Sequence, residues 1–82
     1  VTDISYINAA IKAELSAQGL TQSVLATYLG FANRRQIVAR LSGETPWNVT
    51  ELFEVAKFLN VTPFKLFELA AEREKREKKG QK

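Results

Sequence analysis

Residues 21–43 read TQSVLATYLGFANRRQIVARLSG, and their pattern of caps and apolar positions describes two short helices joined by a glycine turn. Thr21 stands where an N-cap belongs, one turn ahead of an apolar set made of Val24, Leu25, Tyr28 and Leu29. Ala26 sits among them as a small residue against which another helix can pack closely. Gly30 ends that helix, and Phe31 follows as a plug beneath the turn. The next helix is expected to begin near Ala32 or Asn33 and to run to Leu41. Ile37 and Leu41, one turn apart, form its inner face, and Ser42 and Gly43 close it. This second helix carries Arg34, Arg35 and Arg40 and no acid.

Upstream, Ile4, Ile7, Ile11 and Leu15 recur at helical spacing beside Ala10. They mark a first amphipathic helix, with Asp3 or Ser5 as its cap and Gly19 as its stop. Downstream, residues 44–47 form a loop. Asn48 with Glu51 three positions on has the spacing of a capping box, and it opens a fourth helix with Val49, Leu52, Phe53, Ala56 and Leu59 as apolar residues. Asn60 suits a left-handed C-terminal position, and Thr62-Pro63 starts a fifth helix bearing Phe64, Leu66, Phe67 and Leu69. Nothing alternates at period two. The fold class is therefore all-α, a compact bundle of five helices. Residues 1–71 make up the folded domain; residues 72–82 form a charged tail, expected to fray because it offers no apolar side chain to dock.

The composition narrows the function. The chain of 82 residues has no cysteine and no histidine, which removes thiolate chemistry, disulfides, the commonest metal ligand and the usual neutral-pH base. With no glycine-rich phosphate loop, and too little chain for both a core and a deep pocket, binding is expected and catalysis is not; no cofactor, metal or small-molecule substrate is implied. No run of about 18 apolar residues exists, so no membrane partner is expected and the cytoplasm is the natural compartment. The net charge of +3 comes entirely from the tail. Residues 1–71 carry six cations and six anions, whereas residues 72–82 carry six cations and three anions. The body is neutral with one arginine-rich strip.

A glycine-turned helix pair with a basic second member can lay that member in the DNA major groove. The order of many weak signals, from Ile7 to Glu68, resembles the Cro/repressor (XRE-type) helix-turn-helix family of phage and bacterial regulators. The matching residues are Gly19-Leu20-Thr21-Gln22, Leu25-Ala26, Leu29-Gly30, Ile37 and Leu41-Ser42-Gly43, then Pro46, Leu52, Ala56, Leu59-Asn60-Val61 and Leu66. The resemblance implies a lambda-repressor-like bundle in which helices two and three form the helix-turn-helix. It further implies a small transcriptional regulator, Cro-like or immunity-repressor-like, that binds double-stranded operator DNA in a bacterial cytoplasm or nucleoid. One departure stands out. Ile37 is seven positions after Gly30, where most members have six, so the turn is expected to be one residue longer, near residues 32–34.

With Ile37 and Leu41 inward, Asn33, Arg34, Arg35, Val38 and Ala39 become the candidate base-reading residues. Arginine offers paired donors to guanine, asparagine suits adenine, and Val38 can press on a thymine methyl. Thr21, Gln22, Gln36, Arg40, Ser42, Thr45 and Asn48 are the candidate phosphate contacts. Trp47 either stacks on DNA or plugs the loop. Phe64 and Leu69 either pack on the first helix or form a two-fold dimer contact on the C-terminal helix. The alternative function is a helical protein-interaction module, antitoxin-like or antirepressor-like, using that same apolar patch.

Overall fold

A computed structural model of the chain describes residues 4–80, with side chains through residue 77. Five helices follow in order: α1 (Ile4–Ala17), α2 (Gln22–Leu29), α3 (Arg34–Ser42), α4 (Val49–Phe58) and α5 (Pro63–Gly80). No strand occurs among the described residues. The bundle measures 43 × 25 × 23 Å, its long dimension drawn out by α5. α1 lies against α5 and α3, α2 against α3 and α4, and α4 against α5.

One apolar cluster joins all five helices. Ile11 and Leu15 from α1, Leu25 from α2, Ile37 and Leu41 from α3, Val55 and Leu59 at the end of α4, and Leu66 from α5 are buried in it, with Ala10 and Ala26 where helices approach. The expected inner seam of α3 is thus in place. Fully burying a Leu or Ile side chain is worth roughly 1.5–3 kcal/mol, so Ile37 and Leu41 hold α3 to the bundle by one face only.

The helix ends follow local chemistry. The Thr21 hydroxyl accepts from the Val24 N–H at 3.1 Å and caps α2. At its other end Gly30, at φ 80°, lets its own N–H reach the Thr27 carbonyl and that of Phe31 reach the Ala26 carbonyl. These are the paired bonds of a Schellman turn. A Cβ on Gly30 would meet nothing within 4 Å, so the backbone angle and not crowding calls for glycine. Asn60, at φ 61°, ends α4 with the same pair of bonds. Thr62 caps α5 through the Lys65 N–H.

Three sequence expectations are revised. α1 already includes Ser5, so Ser5 is not its cap, and Asp3 lies outside the described residues. α3 begins at Arg34 with Asn33 as N-cap, one or two residues later than expected. The charged stretch from Glu72, expected to fray, instead continues α5 to Gly80. Its Glu, Arg and Lys residues are good helix formers with no Gly or Pro to stop them before Gly80. The Tyr6 hydroxyl on α1 also donates to Glu77 Oε1 at 3.2 Å.

Candidate nucleic-acid interface

α3 presents an exposed outer face. Asn33, Arg34, Arg35, Gln36 and Val38 are exposed, while Ile37 and Leu41 beneath them are buried. Arg34 and Val38 are four apart and Arg35 and Val38 three apart, so they share one patch on the helix. Ala39 is half-buried at its edge. Neither Arg34 nor Arg35 has a hydrogen-bond or ion-pair partner among the described residues. Asn33 has the extended backbone of an N-cap but makes no side-chain cap bond, and no acid occupies the first turn. The positive end of the helix dipole and two exposed arginines thus lie in the same first turn, an arrangement that favours negative charge nearby.

The carboxyl end of α3 is tied down. Ser42 Oγ donates to the Ala39 carbonyl at 3.0 Å and accepts from the Glu44 N–H at 3.4 Å, and the Thr45 N–H donates to the Ala39 carbonyl at 3.1 Å. Asn48 caps α4, its Oδ1 accepting from the Glu51 N–H at 2.7 Å while Glu51 Oε1 accepts from the Asn48 N–H at 3.1 Å. The expected capping box is formed. Asn48 therefore keeps its amide NH2 as the side-chain donor for an outside ligand. Thr21 and Gln22 stand at the amino end of α2, exposed and half-buried respectively.

Arg40, expected to reach a phosphate, is instead committed internally. Its Nε donates to Glu51 Oε1 and its Nη2 to Glu51 Oε2, both at 3.0 Å, and its Nη1 donates to the Gln36 carbonyl at 3.2 Å. The guanidinium carbon also lies 4.4 Å from the centre of the Phe31 ring. Each side chain of the ion pair is only 17% exposed. Burial pushes the Glu51 carboxyl upward in pKa, but the Arg40 hydrogen bonds, the Asn48 N–H and the Arg40 charge outweigh it and hold it below the ordinary carboxylate value. Sequence reading missed this pair because residues eleven apart on separate helices share no local pattern.

Trp47 plugs the loop. It is half-buried against the core, and its indole N–H donates to Asn8 Oδ1 at 2.7 Å. Asn8, 3% exposed, is the buried polar residue of α1 and had no sequence signal beyond its place on an apolar face. Phe64 and Leu69 are not brought together. Phe64 is 82% exposed, whereas Leu69 is half-buried against the core. Five residues along a helix are about 140° apart, so one surface cannot hold both centrally. Among the described residues no helix is long and apolar enough to cross a membrane, and no group of three His, Cys, Asp or Glu is gathered as a metal site. No family model, curated protein or solved structure matches the chain.

Proposed function

We propose that the chain is a small sequence-specific DNA-binding regulator of the Cro/repressor helix-turn-helix kind, with α2 and α3 as the helix pair and α3 entering the major groove. The observation that carries this reading is the bare amino half of α3. Arg34 and Arg35 project from a helix start with no cap bond and no acid, above a buried Ile37–Leu41 seam that fixes which way they face. In such a groove each guanidinium can bridge O6 and N7 of a guanine, Asn33 can pair with an adenine, and Val38 can contact a thymine methyl. Thr21, Gln22, Ser42, Thr45 and the Asn48 amide are placed at helix starts and turns, where polar groups hold the sugar-phosphate backbone. This reading is of a binding protein and not of an enzyme.

Two copies reading a pseudo-palindrome would set half-sites about one turn, roughly 34 Å, apart. Exposed Phe64 at the start of α5 is the residue that such pairing would cover. The same exposure supports the second reading, a helical module that binds another protein. Selection of bound sequences from random duplex DNA separates them. The regulator reading predicts a recurrent short motif, palindromic if the protein binds as a dimer. An unenriched pool, together with a co-purifying protein lost on Phe64→Ser, would favour the interaction module.

A further inference from the structure

The Arg40 network does more than join two helices. Its four contacts come from three separate parts of the chain: the turn at Phe31, the backbone of α3 at Gln36, and the first turn of α4 at Glu51. Three of the five guanidinium N–H groups are engaged, two of them in a bidentate fork that fixes the plane of the group. Glu51 is fixed in turn, because the oxygen that receives Arg40 Nε also accepts the Asn48 N–H. The ion pair is thus anchored to a helix cap and is not a pair of mobile surface side chains.

Ile37 and Leu41, one turn apart on one face, are the buried side chains of α3, and an attachment away from that face adds leverage against rotation of the helix about its own axis. A roll of about 20° carries a tip roughly 6 Å from the helix axis through about 2 Å. That displacement is enough to lose a bidentate contact with a base edge. Arg40 supplies such an attachment, tying α3 at one guanidinium group both to the turn before it and to the helix after it.

We infer that Arg40 is a positioning residue, clamped by Glu51 and Phe31 so that α3 presents Asn33, Arg34, Arg35 and Val38 at one fixed rotation, and that it is not a phosphate anchor. The consequence for base reading rests on the DNA-binding function proposed above; the clamp itself does not. Arg40 confers sequence preference without touching DNA.

Glu51→Gln tests this because the two roles predict opposite signs. Glutamine still serves at the third position of a capping box, so the start of α4 is retained while the fork is broken. Operator and random-duplex affinities are measured for the wild type, Glu51→Gln, Arg40→Gln and the double variant over a salt series. A clamp lowers the ratio of operator to random affinity about tenfold in each single variant, with no further fall in the double variant. It leaves the salt slope of Arg40→Gln at the wild-type value. A phosphate anchor gives tighter binding on Glu51→Gln, because a cation is released, and a salt slope lower by about one on Arg40→Gln. Either result overturns the proposal. Native-state hydrogen exchange tests the clamp without DNA. Both single variants should lose protection of α3 amides relative to those of α1, again without addition in the double variant, and unchanged protection of α3 would also overturn it. A wild type with no sequence preference, but with α3 protection coupled in this way, would sink the DNA reading and leave the clamp standing.

Discussion

α3 and α4 begin alike and are finished differently. Each starts from an asparagine in extended conformation, Asn33 at φ −152°, ψ 169° and Asn48 at φ −95°, ψ 166°. At α4 the asparagine caps the helix, Glu51 returns the bond, and the acid suits the positive end of the dipole. At α3 the asparagine makes no cap bond, and two arginines sit where acids would be favoured. The first start is built for stability. The second gives up that stability, having neither a side-chain cap nor an acid in its first turn. Unfavourable local choices concentrated at one element are a usual mark of a working surface.

That contrast can be broken experimentally. The largest effect is expected on DNA. Arg34→Ala and Arg35→Ala should each cost about 1–3 kcal/mol of operator binding and relax preference at separate base pairs, read by titration of the selected operator and its single-base variants. Equal losses on operator and random duplex would demote both residues to phosphate contacts. Next in size is the α4 start. Asn48→Ala should lower unfolding free energy by about 1 kcal/mol, whereas Asn33→Ala, with no cap bond to lose, should change it by clearly less. Urea titration of the two variants measures the difference directly.

A smaller and opposite effect sharpens the comparison. Arg35→Glu places an acid in the first turn of α3 and should raise stability by about 0.3–1 kcal/mol while abolishing operator binding. A variant that both melts higher and binds as before would show that the arginines are surface decoration. The smallest effect is in pH. The folded-state pKa of Glu51 lies below its ordinary value, so its stabilising contribution is present above that value and is lost as pH falls through the folded one. The unfolding midpoint of the wild type should therefore drop more steeply in acid, below about pH 4.3, than that of Glu51→Gln. Parallel curves would mean that the Arg40 fork adds nothing to stability.

What could be read ahead of the structure was whatever is written locally. The Thr21 cap, the Gly30 turn, the Asn48–Glu51 box, the Thr62-Pro63 start and the Ile37–Leu41 seam all depend on residues within one or two turns of each other, and each is formed. The outward set on α3 followed from that seam. What the sequence does not show is what crosses between helices. The Arg40–Glu51 pair has no local signal because its halves lie on different helices, and Asn8 has none because its partner, Trp47, lies in a loop far along the chain. Apolar type also overstated burial. Val49 and Phe53 count among the apolar residues of α4, yet both are exposed, while Val55 carries the buried side. A helix with apolar residues on two faces does not say from sequence which face is covered.

Amide mapping by NMR during titration with a selected operator duplex tests the central claim most directly. Shifts concentrated on residues 33–38 of α3 and residues 21–22 of α2, with α5 beyond Pro63 little moved, are the predicted result. Shifts centred on Phe64 and α5, with the amino half of α3 unmoved, would contradict it.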